Sequence, residues 1–105
     1  MIRLIIERKI KPGKEREAWE LLHELRSKAM RQTGYVSGET LLGYDDPLLW
    51  VAISTWLSAK AWQDWQKSPE RRAMEDREKE LIDAPIKITV LKFFEKPALS
   101  QESVK

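Results

Sequence analysis

The 105-residue sequence has no cysteine and a single histidine, His23. The absence of thiols excludes a disulfide scaffold, a thiolate metal site and a cysteine nucleophile, and it makes a reducing compartment, the cytoplasm, the default expectation. Long apolar runs are missing too. Residues 1–11 are rich in Ile and Leu but carry Arg3, Glu7, Arg8, Lys9 and Lys11, so the segment reads as neither a secretory core nor a membrane span. Charge of one sign is also scarce. Nineteen basic residues against seventeen acidic ones leave a net charge of +2. It is spread over mixed-sign segments, so neither nucleic acid nor an anionic membrane is an expected partner. The length allows one domain. A chain of this size buries only about 60–70% of the surface its unfolded form exposes, so any apolar face its own elements leave open needs a cover, if necessary a second subunit.

What is present is a clear alternation of periods. Ile2, Leu4, Ile6 and Ile10 alternate with charged residues up to Pro12-Gly13, which predicts a strand over residues 2–10 closed by a turn. From Lys14 the spacing becomes helical, with Ala18, Leu22, Leu25 and Ala29 in one stripe, and the helix is expected to run to about Gln32. Gly34 suits the left-handed residue that closes it. Tyr35–Gly43 and Leu48–Trp56 are β-rich runs joined by Tyr44-Asp45-Asp46-Pro47, a connection of hairpin length in which the acidic pair reads as a turn and not as a metal site. Ser58 caps a short helix through Lys67 that carries Trp62 and Trp65. Ser68-Pro69 starts a mostly charged helix to Ile82, expected at the surface. Residues 86–94 form a last strand, apolar on both parities. The domain is therefore assigned to residues 1–96, and residues 97–105 to a loose tail.

The order β, α, β, β, α, β is that of an α+β, ferredoxin-like βαββαβ protomer with a four-stranded antiparallel sheet and helices on one face. Such a sheet has one uncovered side. Leu49, Val51 and Ile53 lie on one parity of the third strand, and Trp50, Ala52 and Trp56 on the other, so both faces are apolar. Two sheets packed face to face would bury them, which predicts a homodimer.

Residues 34–41, Gly-Tyr-Val-Ser-Gly-Glu-Thr-Leu, and above all the stretch from Trp56 to Arg71, resemble the antibiotic biosynthesis monooxygenase family over about residues 1–94. The resemblance implies a dimeric α+β barrel of two ferredoxin-like protomers. It also implies a range of activities: cofactor-independent oxygenation of aromatic polyketides or quinols, haem degradation, or none assigned. The haem-degrading branch pairs a tryptophan, here Trp65, with a strand asparagine and a helix histidine. The histidine position falls near Glu75, and the chain contains no asparagine. A carboxylate is a poor substitute for imidazole as an axial ligand. The resemblance therefore points away from haem, toward a cofactor-independent monooxygenase using O₂ on a small aromatic, quinol or polyketide-like substrate. The alternative is a non-catalytic dimeric barrel that binds a hydrophobic small molecule or a partner protein.

The candidate site residues follow. Trp65 stands at the position the family match singles out and is expected to stack on a flat substrate and donate its indole N–H. Trp56, Trp62 and Tyr35 are candidate substrate-binding neighbours, with core packing as their plainer role. His23 is the one side chain with an ordinary pKa near neutrality and is a candidate general base, though on the flank of its helix stripe. Arg71 is placed to meet a phenolate or carboxylate, with pairing to nearby carboxylates as its plainer role. No metal site is expected.

Overall fold

A computed structural model describes residues 1–94. The strands β1 (Ile2–Lys9), β2 (Tyr35–Leu42), β3 (Leu49–Trp56) and β4 (Lys87–Lys92) form one antiparallel sheet in the order β2-β3-β1-β4. The helices are α1 (Glu15–Ala29), α2 (Ala59–Lys67), α3 (Pro69–Arg72) and α4 (Glu75–Leu81). The ferredoxin-like arrangement expected from the periodicity is the one observed. The domain end assigned to residue 96 and the tail 97–105 lie outside the described residues. Among the described residues no helix is long and apolar enough to cross a membrane.

Strand register decides which side chains meet the helices. Ile2 lies opposite Trp56, Leu4 opposite Ser54, Ile6 opposite Ala52 and Arg8 opposite Trp50. These even-numbered residues turn toward the helices, where Ile2, Leu4, Arg8, Trp50 and Trp56 are buried. Two apolar clusters result. One gathers Ile10, Leu21, Trp50, Met74 and Leu81 at one end of the sheet, and the other gathers Ile2, Leu4, Ala29, Trp56 and Trp65 at the opposite end. The odd-numbered face carries Ile5, Leu49, Val51 and Ile53, all partly exposed, with Leu41 and Leu91 more exposed still, and the helices do not cover it.

Local chemistry explains the joints. Gly34 does not close α1 as expected, because the helix already ends at Ala29 with Met30 right-handed; Gly34 instead adopts φ +94° in the turn that enters β2, and a Cβ there would stand 2.5 Å from the Ala61 Cβ, so no larger residue could replace it without moving α2. Ser58 accepts a hydrogen bond from the Ala61 amide at 3.1 Å and caps α2 as predicted. Ser68 serves both neighbouring helices: its hydroxyl donates to the Trp65 carbonyl at 2.8 Å and accepts from the Arg71 amide at 3.2 Å, with Pro69 in the first turn of α3. In the β2–β3 connection the Asp46 carboxylate accepts from the Leu48 amide at 3.2 Å and from Lys9 Nζ, which gives that acid a structural role. Boundaries shift at the ends: α1 stops at Ala29, not Gln32, and β4 covers Lys87–Lys92 rather than residues 86–94.

The expected surface helix from Pro69 to Ile82 requires correction. The chain breaks at Ala73-Met74 into α3 and α4, where the Met74 amide donates to the Arg71 carbonyl at 3.1 Å in a tightened turn, and Met74 enters the core. Two of its charged residues, Arg71 and Glu78, are buried.

Candidate functional site

The helices and the sheet do not close on each other completely. Between the two apolar clusters lies a cavity of about 110 Å³. Ile6, Arg8, Ala52, Ser54 and Trp56 form its floor from the sheet. Leu22, Leu25 and Ala29 of α1 form one wall, and Trp62, Trp65 and Gln66 of α2 with Arg71 of α3 form another. Exposed Arg26, Glu39, Thr40 and Ile88 are also among its lining residues, so it opens to solvent. The stripe expected on α1 explains its own incomplete burial: Leu22 and Leu25 line the opening instead of filling it.

Tyr35, Trp56, Trp62, Trp65 and Arg71, separated by up to 36 positions in the chain, all line this cavity. Tyr35 meets Trp56 edge to face, with ring centroids 5.4 Å apart and an interplanar angle of 87°. The indole N–H of Trp56 is already committed, donating to the Ser54 hydroxyl at 3.2 Å, so Trp56 acts as an apolar wall. No hydrogen bond among the described residues engages the indole N–H of Trp62 or Trp65. Trp65 is the more buried of the two, at 5% exposure.

His23 is not brought to the cavity. It is exposed on α1 and stacks on the exposed ring of Trp19, centroids 5.0 Å apart and planes within 6° of parallel. The physical reason is helical phase: Leu22 and Leu25 face the sheet, which turns residue 23 outward. Glu75, the position that haem-degrading relatives are expected to fill with histidine, is not among the lining residues either. Among the described residues no group of three or more His, Asp or Glu side chains is placed to hold a metal ion.

The charged groups of the cavity were only partly foreseen. Arg8 Nε donates to Glu78 Oε2 at 2.6 Å, and Arg71 Nη2 donates to Glu78 Oε1 at 2.8 Å. The three side chains are 4–8% exposed. Burial pushes the Glu78 carboxyl up, but the charges of Arg8 and Arg71 and their hydrogen bonds outweigh it and hold the group below the usual carboxylate range. Glu78 is thus ionised, and two guanidinium groups against one carboxylate leave one net positive charge beside the cavity. Arg71 Nη1 is buried and has no hydrogen-bond partner among the described residues. Arg8 and Glu78 escaped the sequence reading because each looks like an ordinary member of a charged run. The usable signal was parity: Arg8 falls on the same strand face as Ile2, Leu4, Ile6 and Ile10.

The four-stranded antiparallel sheet with helices on one face is also the fold that comparison with known proteins returns. The family model described as "Antibiotic biosynthesis monooxygenase" matches residues 1–77, and the chain belongs to that family. Solved structures share the fold at low identity. A conserved protein from Methanosarcina mazei Go1 superposes with a TM-score of 0.82 at 16% identity, covering 87% of this chain and 90% of the other. Rv0793 from Mycobacterium tuberculosis gives 0.81 at 19% identity, covering 90% and 95%. SnoaB, a cofactor-independent oxygenase from Streptomyces nogalater, gives 0.80 at 15% identity, covering 90% and 93%. No curated protein sequence matches the chain.

Proposed function

We propose that the protein is a cofactor-independent monooxygenase that oxidises a small, flat, electron-rich aromatic, a quinol or a polyketide-like molecule, with O₂ in the cavity under Trp65. The observation that carries this reading is the convergence of Trp56, Trp62, Trp65 and Tyr35 on one opening that also holds a buried, incompletely satisfied Arg71. The apolar walls suit an aromatic ring and keep water from the reacting carbon. The free indole N–H of Trp65 and the Arg71 guanidinium suit oxygen atoms that gain charge. Family membership and the fold shared with SnoaB support the same chemistry.

In this mechanism the substrate loses a proton and the resulting anion passes one electron to O₂. The substrate radical and superoxide combine to a hydroperoxide, and loss of water from it leaves a carbonyl. The substrate itself supplies the electrons, so the chain's task is to bind, orient and stabilise charge. Arg71 holds the anion, Trp65 stacks on the ring and donates toward the developing peroxide, and Trp56 and Trp62 fix the ring plane. The protomers pair through the uncovered sheet faces into a dimeric barrel, each with its own cavity.

The test is oxygen uptake in the presence of a reduced menadione-like quinol. The wild type is expected to exceed the uncatalysed rate, and Trp65→Phe, which keeps an aromatic ring but removes the donor, should lower turnover by roughly a hundredfold. No acceleration by wild type, with quinol binding still seen as quenching of tryptophan fluorescence, would make the protein a binder of aromatic molecules instead.

A further inference from the structure

Gly38 stands inside the edge strand β2 without a backbone reason to be glycine. Its φ is not positive, and glycine within a strand weakens it, so the reason lies in the space that the missing side chain leaves. A Cβ at residue 38 would collide with the Tyr35 hydroxyl oxygen, while the ring carbon bearing that oxygen would stay at 3.5 Å, an ordinary contact. The tip of the phenol therefore fills the place of the absent side chain.

A β-bulge makes this possible. Tyr35 pairs with Trp56 but Ser37 already pairs with Thr55, so β2 carries one extra residue between them. Three positions apart, Tyr35 and Gly38 would face opposite sides of a regular strand; after the bulge both stand on the side of the helices, opposite Trp56 and Ser54 of the cavity floor. Both line the cavity. Their neighbours hold them there: Trp56 packs edge to face on the Tyr35 ring, and Arg26 of α1 donates to the Gly38 carbonyl.

Resting on the reading of the cavity as a site for an aromatic ligand, we propose that Gly38 determines how large a fused-ring aromatic the cavity takes. With only a hydrogen at residue 38, the Tyr35 phenol lies down against β2 and leaves the β2 side of the cavity clear. Any larger side chain pushes the phenol along the Cβ direction, toward the helices and into the space beneath them. The strand has no room to yield instead, because the Ile53 carbonyl oxygen lies 3.3 Å from the same Cβ position. Gly38 is thus a positioning residue that acts through Tyr35.

The test compares juglone, a two-ring hydroxyquinone, with its three-ring analogue 1-hydroxyanthraquinone, each titrated by tryptophan quenching against wild type, Gly38→Ala, Tyr35→Phe and the two substitutions combined. The chain has no cysteine for a quinone to alkylate. Gly38→Ala is expected to weaken the three-ring probe by about tenfold more than the two-ring probe, the scale of one methylene in an apolar pocket. Added to Tyr35→Phe, which removes the oxygen that the new Cβ meets, the same substitution should move the ratio of affinities by less than about twofold. A folding defect alone would lower the bound fraction of both probes alike and leave their ratio where it was. Tyr35→Leu, which keeps Gly38 and withdraws the phenol, should shift the ratio the opposite way, toward the three-ring probe, and it decides the matter if Gly38→Ala folds poorly. An unmoved ratio in these variants, an equal effect of Gly38→Ala with and without the Tyr35 hydroxyl, or no binding of either probe to wild type would overturn the proposal. The readout needs no turnover: the expected pattern without oxygen uptake sustains this proposal against the oxygenase reading, and uptake with an unmoved ratio does the reverse.

Discussion

Glu78 is the residue on which the inner architecture turns. Removing its charge leaves Arg8 and Arg71 buried as like charges without compensation, and breaking a buried pair in this way costs about 3–5 kcal/mol. A small domain has about 5–15 kcal/mol in total, so Glu78→Gln should fold only marginally at pH 7, visible as a large drop in the urea midpoint. The pH dependence has a definite sign. The folded Glu78 carboxyl lies below its ordinary value of 4.5, so the unfolded chain binds its proton first. The stability it contributes is therefore complete above about pH 4.5 and is lost as pH falls through the folded pKa. Wild-type protein should lose stability steeply on acidification, and Glu78→Gln, weaker at neutral pH, should show a flatter acid limb.

At the scale of elements, much of the molecule was legible in the sequence, for identifiable reasons. Strands β1 and β3 announce themselves because side chains alternate and both ends carry turn chemistry. Ser58 and Ser68 mark helix ends because capping restricts residue type, and Gly34 marks the turn into β2 because positive φ does the same. The aromatic lining of the cavity was readable too, since Trp56, Trp62 and Trp65 fall on a strand end and one helix face that must pack together. What sequence could not give was the buried charge. Arg71 and Glu78 are seven positions apart on two separate helices, α3 and α4, and a row of Glu and Arg reads as solvated when the third partner, Arg8, is 70 positions away from Glu78. The break at Ala73-Met74 has the same origin: Met74 is drawn into the core by tertiary contact, against a local pattern that favours an uninterrupted helix. His23, already on the flank of its helix stripe in the sequence, is turned away from the cavity by helical phase and stacks on Trp19.

At the scale of the whole molecule, the sheet carries apolar side chains on both faces and helices on only one. Ile5, Val51, Ile53, Leu41 and Leu91 share the uncovered face, and pairing with a second copy would remove them from water. Light scattering at micromolar concentration should give twice the 12.4 kDa of one chain, and Val51→Glu, which places a charge in the middle of that face, should yield monomers or aggregates. A stable wild-type monomer would refute the pairing. The claim that joins fold to function is that the cavity under Trp65 is where a flat, oxygen-bearing aromatic binds. The most direct measurement is a crystal structure with a hydroxynaphthoquinone bound. Its ring is expected against Trp65 with one oxygen within hydrogen-bond distance of the Arg71 guanidinium; a ring seated elsewhere, with the cavity empty of ligand, would refute that claim.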